Sequence, residues 1–238
     1  PVCINLKEVA GALNINALKL VPTAVAAGRA VLLESQKENG VAVVEMGAAT
    51  TSVAIFMEGF LQYFGVINIG ANHITNDIAI SLAVSTEVAE EIKMKYVTAE
   101  LIDNDKPMTM RFGDESISFT KTMVNRIVED RLIDIFEHVK KEIAIAGYEK
   151  KLPEGVVLTG GGAEMRGIER FAREHMEVAT RIGLPLMDVT HIDNETKKPR
   201  FAVAIGLALM MNDDMREQET RVEEKPMSFF GKLFGGGR

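Results

Sequence analysis

The sequence predicts an α/β fold whose strands run into glycine turns, and three observations carry that prediction. Val41–Val44 and Val156–Leu158 are short apolar runs without polar alternation, the pattern of strands buried on both faces. Each run feeds a turn of small residues, Gly47, Ala48 and Ala49 after the first and Gly160, Gly161, Gly162 and Ala163 after the second. Between them, Lys121–Ala146 places Val124, Ile127, Val128, Leu132, Ile135, Phe136, Val139 and Ile143 at mostly three- and four-residue steps, the period of a helix with one buried face.

The remaining elements follow in chain order. A helix is expected over Asn5–Leu13, a strand over Leu18–Val21, and a second helix from Pro22 to about Leu33, where proline suits the first turn. Glu34–Gly40 reads as a polar connector. Gly40–Ile69 reads as a three-stranded meander with a hairpin signal at Glu58-Gly59. Asn72 is expected to cap a helix ending near Leu82, and Ser85 or Thr86 to cap a charged helix ending at Tyr96. Asp103–Pro107 reads as a turn, and "MTMRF" and "SISF" as short alternating strands. Gly147 suits the end of the long helix. A helix over Ile168–Met176 follows the second glycine turn. Phe201–Met211 is a last apolar helix, with Ala202, Ala204, Gly206 and Ala208 small enough for close packing.

Composition narrows the classes. The 238 residues carry 27 Lys and Arg against 34 Asp and Glu, a net charge of −7, which argues against a general nucleic-acid binder. Four histidines and one cysteine leave little for a metal site, and Cys3 has no intramolecular disulfide partner, as expected in a reducing compartment. No run reaches the roughly 20 apolar residues of a spanning helix, and no signal-peptide pattern opens the chain. A bacterial cytoplasmic protein is the expectation.

The turns carry the chemistry. In the first, Gly47 can take positive φ without a Cβ clash, and the backbone N–H groups with the hydroxyls of Thr50, Thr51 and Ser52 can meet an anion. In the second, a strand feeds glycines and then a helix start, a seat for an anion or nucleotide. Neither is a GxGxxG fingerprint, and neither has the GK[ST] of a P-loop. Two such turns in one domain point to a nucleotide held between them. Glu90 and Lys93 share a helix face. His73 and Asp77, one turn apart, read as a surface His–Asp contact near a helix cap. At the far end, 212–226 is rich in charge and reads as a solvated linker. "MSFFGKLFGGGR" follows it. At helical spacing Phe229, Phe230, Leu233 and Phe234 fall on one side and Lys232 lies off it, the pattern of a segment lying in a membrane interface.

Taken as an ordered set, these stretches resemble a known family. "VEMGAATTSVAIFMEGFLQYFGVINIGANHITNDIAISL" resembles the second phosphate loop, hairpin and helix of the actin-like (ribonuclease H-like) ATPase fold, and "VVLTGGGAEMRGI" its adenosine loop. "GANHITNDIAISLAVSTEVAEEIKMKY" and "VNRIVEDRLIDIFEHVKKEIAIAGYEKKLPEGVVLTGGGAEMRGI" are similar to the FtsA family of bacterial cell-division proteins, and the resemblance extends from Asn5 to Phe234. It implies mainly the second lobe of that fold. Residues 1–37 would be the end of the first lobe and the crossover helix, 38–82 and 155–211 the second-lobe core, 83–154 a small inserted subdomain, 212–226 a linker and 227–238 the amphipathic tail. The chain then reads as the C-terminal part of a longer protein or an incomplete gene product.

The resemblance also implies ligands and partners. ATP with Mg2+ would contact Glu45, Gly47, Thr50, Thr51, Glu90, Lys93, Gly160, Gly161 and Gly162, with Glu45 holding the metal through water. Glu45 stands where the family usually has aspartate, Ala48 and Ala49 where it has glycines, and Ser52 where it has an acidic residue. Any hydrolysis should be slow, and no catalytic residue is assigned. Phe229, Phe230, Lys232, Leu233 and Phe234 would bind the membrane. The implied role is an ATP-binding adaptor at the cytoplasmic face of the inner membrane, at the division site. It would tether the tail of tubulin-like FtsZ, docked on about Ala83–Pro153, self-associate and recruit later divisome proteins. Two alternatives share the fold, a PilM-like pilus-assembly adaptor and a sugar or acyl kinase.

Overall fold

The computed structural model describes residues 2–15, 19–100, 106–113, 115–186 and 196–223. Its strands are β1 (Val41–Met46), β2 (Thr51–Met57), β3 (Phe60–Ile67), β4 (Pro107–Phe112), β5 (Glu115–Thr120), β6 (Val156–Thr159) and β7 (Thr180–Ile182). Its helices are α1 (Val2–Ala12), α2 (Thr23–Val31), α3 (Glu34–Asn39), α4 (Ala71–Leu82), α5 (Thr86–Tyr96), α6 (Lys121–Ile145), α7 (Ile168–Met176) and α8 (Ala202–Glu223).

Five strands form one sheet in the order β3-β2-β1-β6-β7, and β4 pairs with β5 as a separate ribbon. The first three strands are an antiparallel meander, whereas β6 and β7 add in parallel. β1 lies at the centre and every one of its residues is buried, which is why its sequence shows no polar alternation. One face of the sheet, with Val44, Met46, Val53 and Ile55, packs on Ile74 of α4, Ile92 of α5, Phe136 of α6 and Ile168 of α7. The other face, with Val41, Val43, Ala54 and Phe56, packs on Ala24, Ala27 and Val31 of α2 and on Ala202 of α8. The result is a three-layer helix–sheet–helix sandwich.

The long helix joins the β4–β5 ribbon to this core. Phe119 meets Tyr96 edge-on at 5.3 Å between ring centres. Phe119, Val124, Val128 and Phe136 belong to the same apolar core as the central strands. Segment 83–154, expected as an inserted subdomain, therefore shares its core with the sheet. On the opposite face α2 and α8 touch backbone to backbone: a Cβ at Gly206 would stand 1.7 Å from the Ala26 carbonyl oxygen.

Several elements differ from expectation. Glu34–Asn39 is a short helix, its first turn closed by Leu33 N–H donating to Gln36 Oε1 at 3.1 Å. Residues 19–21 form no strand, and 16–18 lie outside the described residues. Pro22 precedes α2 as its cap position. Gly70, not Asn72, precedes α4, and its N–H donates to Nδ1 of His73 at 3.1 Å. Asp77 pairs with Arg131 at 2.7 Å, so the expected His73–Asp77 contact is absent. Ser85 caps α5, accepting from Val88 N–H at 3.4 Å. The last helix continues past Met211 to Glu223, with Asp213 paired to Arg29 and Asp214 to Lys19, each at 2.9 Å, where a linker was expected from 212. Three-residue β7 is too short to leave a periodic signal. The segment 227–238, with all of the expected membrane-binding residues, lies outside the described residues.

Candidate functional site

Both glycine turns lie at the same edge of the sheet. β1 and β6 are parallel neighbours, with Glu45 opposite Thr159, so the turns that follow them emerge side by side. A Cβ on Gly160 would stand 2.6 Å from the Met46 carbonyl oxygen and 2.7 Å from Glu45 Oε1, and one on Gly162 would stand 2.9 Å from Met46 Cβ. Gly160 also has φ +86°, a region that disfavours side chains. Glycine is thus required here by backbone conformation and by close approach. The second turn is a single 3₁₀ turn over Gly161–Glu164. It is held from outside: Gly160 N–H donates to Pro199 O at 3.1 Å, and Thr159 Oγ1 reaches Pro199 O at 3.2 Å.

The first turn is welded to α4. Ala71 and Asn72, the first two helical residues, donate their N–H groups to the carbonyls of Gly47 and Ala48 at 2.9 and 2.8 Å. A Cβ on Gly70 would strike three backbone atoms of the turn at 2.6 to 2.7 Å. Gly47 itself is not at positive φ. Its constraint is space, with Thr50 O 3.1 Å and Glu45 Oε1 3.5 Å from where a Cβ would sit.

Between the turns, α4 and α5 lies a cleft of about 520 Å³. Gly47, Ala48, Ala71, Asn72, Glu90, Lys93, Gly161 and Gly162 line it together with Met94, Tyr96, Thr98 and Met165. Gly161 opens into space: nothing stands within 4 Å of its added Cβ. Lys93 is anchored by Glu90 at 2.7 Å, Thr75 Oγ1 at 2.8 Å and Ala71 O at 3.2 Å, tying α5 to the start of α4. Burial pushes the Glu90 carboxyl up, but its bonds to Lys93 and to Thr75, at 2.5 Å, outweigh this and hold it below the usual carboxylate range. Glu164 is held low chiefly by hydrogen bonds from Arg200, which latch the glycine loop to the segment before α8. The lining carries Lys93, Lys95, Lys121, Arg166 and Arg200 against Glu90 and Glu164, an excess of positive charge suited to an anionic ligand.

Glu45 lies across the sheet edge from this cleft. It is 7% exposed, and its sheet neighbour Ser52 stands 3.2 Å, oxygen to oxygen, from Thr23 at the start of α2. Burial raises the Glu45 carboxyl above its ordinary range, and a hydrogen bond with Thr23 only partly offsets this. Among the described residues no three His, Cys, Asp or Glu side chains come together to hold a metal ion. A lone buried carboxylate fits a metal held mainly by water and phosphate oxygens.

The structure therefore brings Gly47, Glu90, Lys93, Gly161 and Gly162 to one cleft and sets Glu45 and Gly160 at its edge. Thr51 is placed differently: it is fully buried, and its hydroxyl donates to Ile69 O at 2.8 Å. Thr50 does not line the cleft, and its carbonyl accepts from Gly47 N–H. The sequence reading gave Ala71 and Asn72 no part in the site, although their place in the cleft lining follows from the α4 start that it had read at Asn72. It also missed Met94, Met165 and Arg200, which no local pattern marks.

Comparisons agree with this architecture. The family model described as "Cell division protein FtsA" matches residues 42–206. The cell division protein FtsA of Pseudomonas aeruginosa is 34% identical over 78% of this chain and 45% of that protein. The namesake from Rhizobium meliloti is 29% identical over 100% of this chain and 54% of that protein. The chain thus spans about half the length of the curated relatives it matches. Among solved structures, MreB5 of Spiroplasma citri bound to ADP superposes with a TM-score of 0.72 at 18% identity, over 90% of this chain and 66% of that one. The PilM–PilN type IV pilus biogenesis complex gives 0.64 at 20% identity, over 86% of this chain and 58% of that one. These two likenesses carry the fold, which is that of actin-like ATPases, while the match over 42–206 carries the kinship: the chain belongs to the FtsA family of cell-division proteins.

Proposed function

We propose that this chain supplies the second-lobe half of an ATP site in an actin-like cell-division adaptor. The observation that carries the reading is the meeting of two glycine turns at the edge of one sheet, with a cation-rich cleft on one side and a buried carboxylate on the other. Adenosine fits the cleft beside the open Gly161. Glu90, held ionised and oriented by Lys93 and Thr75, can accept hydrogen bonds from ribose hydroxyls. The phosphates then pass over Gly160 and Gly47 toward Glu45, which can orient water on Mg2+. That MreB5 of Spiroplasma citri, on the same fold, binds ADP supports a nucleotide as the ligand. A buried carboxylate without a neighbouring base fits slow hydrolysis at most. Kinship supports the wider role: attachment of the FtsZ tail near segment 83–154, self-association, recruitment of later division proteins, and a tail at 227–238 that rests on the inner membrane's cytoplasmic face.

The test is calorimetry with ATP and Mg2+. The chain is expected to bind ATP more weakly than micromolar, because Ala48 and Ala49 stand where the resembled family has glycines and the chain spans about half the length of its relatives. Gly161→Val should remove binding in the longer protein while leaving the fold intact, since its branched side chain enters the cleft. Sub-micromolar affinity of the 238 residues, or unchanged affinity in the valine variant, would overturn the reading.

A further inference from the structure

Two methionines reach the cleft from separate elements, Met94 from α5 and Met165 from the turn after the glycine loop. Met94 is 64% exposed although it is apolar, and it stands one residue after the thrice-anchored Lys93. The segments that carry the two methionines are tied beneath them by Ala99 N–H donating to Arg166 O at 2.8 Å. Tyr96 is turned aside, its ring engaged edge-on with Phe119. The two thioethers are thus the large, soft apolar groups left to contact a planar base. Thioether sulfur packs well on aromatic faces and adapts its shape to them.

The same sulfur is open to oxidants when the cleft is empty. We propose that Met94 is a peroxide-sensitive modification site that controls ligand entry, a reading that rests on the nucleotide assignment above. Hydrogen peroxide transfers one oxygen to the Met94 sulfur, which loses two electrons and becomes a sulfoxide; the other oxygen leaves as water with both protons. A flexible apolar contact becomes polar and chiral. The sulfoxide oxygen then requires a hydrogen bond or water at the place where the base needs a dry face. A bound nucleotide covers Met94 and slows its oxidation, so occupancy and oxidation oppose each other.

The experiment treats the full chain with dilute hydrogen peroxide, with and without millimolar ATP–Mg2+, and follows Met94 sulfoxide by peptide mass spectrometry. Amide exchange at Gly160–Gly162 reports nucleotide binding independently. ATP is expected to slow Met94 oxidation at least fivefold. Peroxide treatment is expected to weaken ATP binding at least tenfold, whereas Met94→Leu with Met165→Leu should show the same affinity before and after treatment. If ATP protects the glycine-loop amides but not Met94, or if the double variant loses affinity as the native chain does, the methionine proposal falls alone. If ATP protects neither, the nucleotide reading falls and takes this proposal with it.

Discussion

Single residues at the sheet edge separate binding from structure. Thr51 looked like a phosphate ligand in sequence, but its hydroxyl closes the end of the β2–β3 pair through Ile69 O. Thr51→Val should therefore lower stability by about 0.5–1.5 kcal/mol, the net worth of one hydrogen bond, while leaving ATP affinity of the folded fraction unchanged; chemical denaturation and calorimetry on one preparation check both. Glu45 has a pH signature. Burial raises its folded carboxyl above the ordinary value of 4.5, so across that interval the folded state keeps a proton the unfolded chain has lost. Stability consequently falls as pH rises through the interval and stays lower above it. Glu45→Gln should flatten that slope, read from urea midpoints taken from the ordinary carboxylate range up to neutrality. A slope unchanged by the substitution would assign it to other groups. The glycines show how far sequence reaches: Gly160 and Gly47 could be read as close-approach positions, but only the fold reveals that the first is fixed by its backbone angle and the second by crowding.

Elements were legible in proportion to their length and periodicity. The pattern of Val124 to Ile143 gave α6 to within a residue at its C-terminal end, because one buried face spanning many turns leaves little ambiguity. The meander and the β4–β5 ribbon were likewise readable from short apolar or alternating runs between turn residues. α3 and the second half of α8 were not. Their residues are polar, and what holds them is long-range: Gln36 with Arg181 at 3.0 Å, and Asp213 with Arg29 at 2.9 Å. Composition alone cannot see partners so far apart in sequence. The α2–α8 crossing gives the sharpest test at this scale. Gly206→Ala would place a methyl inside the Ala26 carbonyl, so the helices must separate, and a loss of roughly 3 kcal/mol or more is expected from the combined overpacking and lost contact. Ala208→Gly, on the same helix, should cost only about 1 kcal/mol from propensity. Thermal unfolding of the pair compares them.

At the scale of the whole molecule, the cleft and the tail make separable predictions. No helix among the described residues is long and apolar enough to cross a membrane. The proposed membrane attachment rests on the sequence pattern of 227–238, where Phe229, Phe230, Leu233 and Phe234 share one side at helical spacing. Anionic liposomes should sediment the protein, and Phe230→Glu with Phe234→Glu should release it, because each buried apolar side chain contributes about 1.5–3 kcal/mol and each new carboxylate repels lipid phosphate. Deleting 227–238 should leave the melting temperature of the core nearly unchanged. Sedimentation that survives both substitutions, or a core destabilised by the deletion, would make the segment a docking element of the fold.

The length of α8 has a mechanical consequence. Its 22 residues make a rod of roughly 33 Å at about 1.5 Å per residue. One end continues from Pro199, whose carbonyl grips Gly160 and Thr159; the middle is moored to Lys19 and Arg29. A rod moored near its middle pivots there, with arms of roughly 17 Å toward the loop and roughly 14 Å toward Glu223, given that rise per residue. A tilt of about 5° then moves the two ends by roughly 1–1.5 Å in opposite senses. A shift beside Gly160 is thus relayed to the Glu223 end at nearly its own size and with its direction reversed.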